Sequence, residues 1–216
     1  MTPDPMTPPS NRTRLRRLRE KAAYDPAVIK AILDAQPLGH IGHLIDGMPA
    51  VTPTLQWREG DRVYWHGSTA SRMIRAATSA PVCLTVTLLD ALVLARSGLE
   101  HSVNFRSVMI FGVAQAVTDP ALKARHLETM IDQMFPARWP QLRPMTAQDL
   151  KATAILSLPI TEASAKIGAG MPTDPPEDRV WPVWAGIIPL TQSLGEPNPD
   201  GNAKGPAPKV RRFGST

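Results

Sequence analysis

Residues 61–73 read DRVYWHGSTASRM, and this stretch decides the fold prediction because its pattern changes at one glycine. Residues 62–66 are rich in aromatic and β-branched types, which favour a strand. Gly67 breaks that strand, and Ser68 and Ser71 are available to cap a following helix. We therefore predict a strand that runs directly into a helix N-terminus.

The same junction is a candidate anion site. A helix N-terminus carries free N–H groups and partial positive charge. Ser68, Ser71 and Arg72 add hydroxyl donors and a guanidinium, a combination that suits a phosphate monoester. These residues also fit an ordinary capped helix with a solvated Arg72, and composition leaves both interpretations open.

A family resemblance extends this interpretation. The segment YWHGS at 64–68, followed by Ser71-Arg72, resembles the flavin-phosphate segment of the pyridoxamine 5′-phosphate oxidase-like, split-barrel FMN-binding superfamily. The closer resemblance is to its flavin-nucleotide-binding branch, which includes the nitroimidazole-resistance proteins. Further matching motifs follow in order at residues 89–97, 101–108, 111–112, 164–166 and 182–189.

The resemblance implies a mostly β fold with peripheral helices, built on a six-stranded antiparallel split β-barrel of the FMN-binding type. Short strands at regular spacing favour the same class. We predict a barrel domain over residues 13–192, a disordered arm over 1–12 and a flexible Pro/Gly-rich tail over 193–216. Helices are predicted after the caps Asp25, Asp119 and Thr146.

The resemblance also implies a homodimer with FMN in the groove between subunits. Carried onto matching positions, it implies FMN contacts from Thr54, Gln56, Trp65, His66, Ser68, Ser71, Arg72, Thr87, Arg106, Ser107, Lys166 and Trp184. For several of these an alternative stays open, and Thr87 can be an ordinary strand threonine. Arg106 can stabilise negative charge on the flavin or pair with the partner subunit, Lys166 can be an ordinary exposed lysine, and Trp184 can pack at the dimer seam.

An FMN-dependent oxidoreductase acting on a small-molecule electron donor or acceptor is the function that this resemblance implies. His66 and His101 are the candidate catalytic residues, because imidazoles exchange protons near neutral pH. A flavin-binding electron carrier without a dedicated substrate remains an alternative. So does a haem-binding split-barrel protein, in which His40, His43, His66 or His101 would be the axial ligand.

Other classes of function are disfavoured. His40 and His43 lie three apart on a predicted strand and point to opposite faces, so no metal site is expected there. The single cysteine, Cys83, lies in an apolar strand and is expected to be inert. The net charge of +5 comes mainly from the segment 12–21 and the tail, without a nucleic-acid-binding motif. No apolar run is long enough for a membrane span, so we expect a cytoplasmic protein without nucleic-acid or membrane partners.

Overall fold

The computed structural model describes residues 7–214. Its strands are β1 (Ala22–Ala23), β2 (Leu38–Ile45), β3 (Met48–Glu59), β4 (Arg62–Ser68), β5 (Pro81–Leu94), β6 (Ser102–Val113), β7 (Gln115–Val117), β8 (Thr153–Pro159), β9 (Glu162–Gly168) and β10 (Gly186–Pro189). Its α-helices are α1 (Pro26–Ala35), α2 (Arg72–Ala77), α3 (Pro120–Met134) and α4 (Ala147–Ala152). Three short 3-10 turns lie at Arg19–Lys21, Trp139–Gln141 and Pro176–Val180.

The sheet is antiparallel throughout and follows the order β1-β9-β6-β5-β2-β3-β4-β8-β7, with β10 added to β5. This path stays open, as the predicted split barrel requires. The family resemblance implied a six-stranded barrel, whereas the described residues form ten strands. Part of the difference is the edge strands β1, β7 and β10, which are too short to show a period-2 pattern.

The helix starts confirm the predictions made from capping residues. The Asp25 carboxylate accepts from the Ala27 N–H at 2.8 Å, ahead of α1. Asp119 does the same for α3, accepting from the N–H of Leu122 at 2.8 Å. Thr146 opens α4 with a capping box. Each signal is local, because a short oxygen acceptor precedes an orphan N–H group.

The strand boundaries predicted around Asp90 were wrong. The sequence indicated two apolar strands separated at this position, but β5 runs through it as one strand. Its pairing with β6 shifts between Leu89 and Ala91, which leaves Asp90 in a β-bulge. A bulge redirects one side chain without ending the ladder. The polar residue is therefore carried inside a strand rather than in a loop.

Two apolar clusters hold the sheet. The barrel interior contains Trp65, Ile41, Leu84 and Ile110, all less than 2 % exposed, and α1 and α2 pack onto it. A second cluster, formed with α3, covers the other face of β3, β4 and β8 and includes Trp57, Tyr64, Met130 and Ile155. Among the described residues no helix is both long enough and apolar enough to cross a membrane.

Candidate functional site

The junction of β4 and α2 presents the predicted anion-binding residues. Ser71 is the N-cap of α2, and the hydroxyl of Ser68 accepts from the Ala70 N–H at 3.1 Å. Arg72 is exposed and has no carboxylate partner among residues 7–214. Two hydroxyls and a solvated guanidinium thus lie within five residues, which is a suitable set for a phosphate group.

Two predicted site residues are enclosed by the fold. Trp65 is fully buried in the barrel core. The amide of Gln56 is also buried, and its Nε2 donates to the carbonyl oxygen of Leu33 at 2.8 Å and to that of Gln36, at the end of α1. Both side chains therefore serve packing and helix capping here, and a ligand outside the barrel would meet only their backbone. Thr54, also on β3, is half-buried.

Three other predicted residues form one row across neighbouring strands. Thr87 pairs with Ser107, and Ser107 pairs with Lys166. Directly paired residues point to the same face of a sheet. This face lies opposite the barrel core, since the alternating neighbours Val86 and Val108 are buried. The Ser107 hydroxyl donates to the Lys166 carbonyl oxygen at 3.3 Å, and the Lys166 ammonium lies 5.9 Å from the centre of the Phe105 ring.

Arg106 has a partner that the sequence did not reveal. Its Nε donates to Asp90 Oδ2 at 3.0 Å and its Nη2 to Asp90 Oδ1 at 2.8 Å. The hydrogen bonds to Asp90 raise the pKa of Arg106. Nη2 also donates to the carbonyl oxygen of Gly214 at 3.0 Å. The guanidinium thus connects the bulge of β5 to the C-terminal tail.

The histidines differ sharply in their surroundings. His66 is half-buried, its buried Nδ1 has no hydrogen-bond partner in the described chain, and its ring centre lies 6.1 Å from that of Trp57. Burial lowers the pKa of His66 and keeps it neutral at pH 7. His43 is enclosed in the fold, with Nδ1 3.0 Å from the Ile41 carbonyl oxygen, and its buried Nε2 has no hydrogen-bond partner among the described residues. His101 is exposed, and His40 is half-exposed on the outward face of β2.

The described residues contain no group of three or more metal-ligating side chains. The one cysteine, Cys83, is half-buried, and burial raises the pKa of its thiol. It is therefore protonated at neutral pH and poorly nucleophilic.

The C-terminal tail covers one end of the sheet. The N–H of Gly214 donates to the Ala35 carbonyl oxygen at 2.8 Å, the N–H of Arg211 donates to that of Met134 at 2.9 Å, and Phe213 packs on the α3 cluster. A cavity of about 980 Å³ lies beneath it, lined by residues 87–90, 190–194 and 212–214 with Gln36. Trp184 is 63 % exposed and lies over Gly186.

Known proteins place the chain in a family. The sequence model of the pyridoxamine 5′-phosphate oxidase family matches residues 25–167. The flavocytochrome Anf3 from Azotobacter vinelandii is 47 % identical, with a TM-score of 0.89, over 95 % of this chain and 96 % of that one. The FAD and haem binding protein from Mycobacterium smegmatis is 34 % identical, with a TM-score of 0.81, over 85 % of this chain and 91 % of that one.

A more distant structure shares the fold alone. A protein from Bacteroides thetaiotaomicron that is proposed to confer 5-nitroimidazole resistance is 18 % identical, with a TM-score of 0.52, over 68 % of this chain and 86 % of its own. The search of curated proteins found no match. The chain therefore belongs to the pyridoxamine 5′-phosphate oxidase-like family of split-barrel proteins.

Proposed function

We propose that this protein binds a flavin and a haem and acts as an oxidoreductase that passes electrons between a small molecule and these groups. The observation that carries the proposal is the 47 % identity, over 95 % of the chain, to a flavocytochrome. A relative of 34 % identity is the FAD and haem binding protein from Mycobacterium smegmatis. Similarity at this level extends to the whole domain and not only to the barrel strands.

The residues proposed to bind the flavin are suited to its phosphate group. Ser68, Ser71 and Arg72 offer two hydroxyls and a guanidinium without an ion-pair partner in the described chain. Guanidinium and hydroxyl donors form charge-assisted hydrogen bonds to phosphate oxygens. The row of Thr87, Ser107 and Lys166 is proposed to face the flavin ring. FMN, the flavin that the family resemblance implies, stays a prediction, because the relative from Mycobacterium smegmatis is an FAD and haem binding protein.

His66 is the residue that we propose as a ligand of the haem iron. A histidine that would ligate haem iron needs a neutral imidazole with an accessible nitrogen next to apolar surface. His66 fits these conditions, because burial keeps it neutral and its half-exposed ring has no hydrogen-bond partner among the described residues. Its Nδ1 is buried, so Nε2 is the nitrogen that we propose for the iron. Its strand neighbour Tyr64 and the paired residue Ile155 belong to the apolar α3 cluster. His43 is only 5 % exposed, which leaves no open surface for a porphyrin.

The homodimer is part of the same proposal. One face of the sheet, away from the barrel core, carries exposed apolar side chains: Leu38, Leu44, Val51, Leu89, Met109 and Val113. Several exposed apolar side chains on one face of a folded chain favour an interaction surface there. Thr87, Ser107 and Lys166 share this face, so a second copy seated on it would enclose the proposed flavin edge.

The protein's own residues would bind, orient and tune these groups. A flavin exchanges one or two electrons and a haem exchanges one, which lets the pair link donors of different type. Arg72 and the serines would hold the phosphate, and the ammonium of Lys166 would stabilise negative charge near the ring. His101 is a candidate proton donor, since its ring is exposed and its one hydrogen-bond contact within the described residues is between Nδ1 and the Ser97 carbonyl oxygen, at 2.9 Å.

Absorbance spectroscopy of purified variants tests the proposal. Wild-type protein should show flavin bands and a Soret band, and heating should release a flavin whose mass distinguishes FMN from FAD. His66→Ala should lose the Soret band and keep the flavin. The control His101→Ala should keep both, because its ring is exposed to solvent. A Soret band that survives in His66→Ala would show that another residue ligates the iron.

A further inference from the structure

Hydrogen bonds of Ser10, Thr13 and Leu15 connect the arginine-rich N-terminal segment to the rest of the chain and to one another. Thr13 is completely buried, and its hydroxyl donates to the Ser10 carbonyl oxygen at 3.0 Å. The Ser10 hydroxyl donates to Glu162 Oε1 at 2.6 Å, at the start of β9. Two residues further on, the N–H of Leu15 donates to the Tyr24 hydroxyl at 3.0 Å. The segment therefore presents its charges from a defined place.

Most of these charges are not neutralised. We call Arg14, Arg16, Arg17, Arg19 and Lys21 the basic rim. The four arginines are exposed, and none of the five has a carboxylate partner in the part of the chain that the structure describes. The neighbouring Arg12 is engaged, because it lies 3.6 Å from Glu162 and over the Phe111 ring. Glu20 is the one acidic residue within 12–21.

The rim lies beside the proposed flavin face. Directly after it, Ala22 of β1 pairs with Lys166 of β9. Lys166 pairs with Ser107, and Ser107 with Thr87, so one cross-strand row joins the rim to the proposed flavin edge. Neighbouring strands lie about 4.8 Å apart, which puts Ala22 roughly 15 Å from Thr87.

From this juxtaposition we infer that the basic rim is the docking surface for a small acidic electron-carrier protein, which reduces the flavin of this chain. The inference rests on the proposed function. One electron leaves each reduced carrier and enters the flavin, two carriers complete a two-electron reduction, and solvent supplies the protons. A cationic patch steers an acidic protein into encounter and fixes its orientation.

A nucleic acid or a lipid surface fits the rim less well. Residues 11–21 include no aromatic side chain on which a base would stack. Leu18 is 43 % exposed, and Leu15 is half-buried, so the segment offers little apolar surface for insertion into a bilayer. Only an electron carrier makes use of the short path from the rim to the proposed flavin.

Stopped-flow reduction of the flavin-loaded protein tests the inference. The probe is a reduced acidic [2Fe–2S] ferredoxin, and dithionite serves as the small-molecule reductant. Arg14→Glu/Arg17→Glu should slow reduction by ferredoxin about tenfold or more at low salt and flatten its salt dependence. The rate with dithionite should stay unchanged. Lys204→Glu/Lys209→Glu removes two exposed cations from the tail and should leave both rates as in the wild type.

The possible failures are distinguishable. A purified protein without flavin would overturn the proposed function before any rate is measured. Flavin-loaded rim and tail variants with equal ferredoxin rates would overturn the docking site alone. Loss of binding to duplex DNA or to phosphatidylserine vesicles in the rim variant, with an unchanged ferredoxin rate, would assign the rim to those partners instead. If the charge reversal disturbs folding, as judged by flavin content, Arg14→Gln/Arg17→Gln is used instead. This variant should also slow reduction by ferredoxin, by a smaller factor.

Discussion

The guanidinium of Arg106 and the carboxylate of Asp90 form a two-point ion pair, with contacts of 3.0 Å and 2.8 Å. Asp90 reaches this position because it lies in the bulge of β5. Nη2 of the same guanidinium donates a hydrogen bond to the carbonyl oxygen of Gly214 at 3.0 Å. One residue pair thus joins the bulged strand, its neighbour β6 and the tail.

Loss of this ion pair should destabilise the protein. Asp90→Ala leaves a guanidinium whose side chain is only 18 % exposed without its carboxylate. We expect a loss of about 2 kcal/mol in the free energy of unfolding, and a melting temperature lower by roughly 4–8 °C. Arg143→Ala is the control, because its ion pair with Asp149 has a 70 % exposed arginine and should contribute far less to stability. Equal melting temperatures for the two variants would contradict the assignment.

The depressed pKa of His66 predicts a stability that falls in acid. Burial lowers the pKa of His66 below the 6.5 of an unfolded chain. Between the folded-state pKa and pH 6.5, the unfolded state therefore binds more protons than the folded state. The stabilisation is present above pH 6.5 and is lost as the pH falls towards the folded-state pKa. Urea unfolding of cofactor-free protein at about pH 7.5 and 5.5 measures it. The wild type should lose more stability between these values than His66→Gln, and parallel losses would exclude His66 as the source.

Arg72 should contribute to flavin affinity. Removing a charge-assisted hydrogen bond to phosphate costs about 1.5–3 kcal/mol, so Arg72→Ala should weaken flavin binding by roughly 10- to 100-fold. Arg75→Ala is the matched control, since Arg75 is exposed one turn later on the same helix. Quenching of flavin fluorescence on titration into the apoprotein gives both dissociation constants. Similar values for both variants would move the phosphate site away from Arg72.

The exposed apolar sheet face should control the oligomeric state. Val51→Glu places a charge on a side chain that is 68 % exposed on this face and should convert the proposed dimer to monomers. Leu99→Glu changes a side chain that is 94 % exposed outside the face and should leave the dimer intact. Light scattering coupled to gel filtration gives the mass of each. A dimeric Val51→Glu protein would place the interface elsewhere.

Local signals predicted the helices and the strand-to-helix junction. The caps Asp25, Ser71 and Asp119 act within one turn, so their effect can be deduced from neighbouring residues alone. The Asp90 bulge depends on the register with β6 and is not encoded in the β5 segment itself. For this reason the sequence indicated two strands where the protein has one.

Long-range contacts explain what the sequence did not reveal about the site. The buried amide of Gln56 caps α1 across 20 and 23 residues, and no motif marks that role. The tail was predicted to be flexible from its Pro and Gly content, a prediction that remains to be tested. Its contacts through Arg211, Phe213 and Gly214 connect residues far apart in sequence, so composition could not predict them.

The most direct test of the central claim is the anaerobic absorbance spectrum of the purified wild-type protein, with flavin and haem quantified per chain. We predict about one flavin and one haem per chain, and we expect both to be bleached or shifted when a reductant is added. A protein that carries flavin and no haem, even after reconstitution with hemin, would contradict the flavocytochrome assignment. A protein that binds neither group would leave the family membership standing and the proposed function without support.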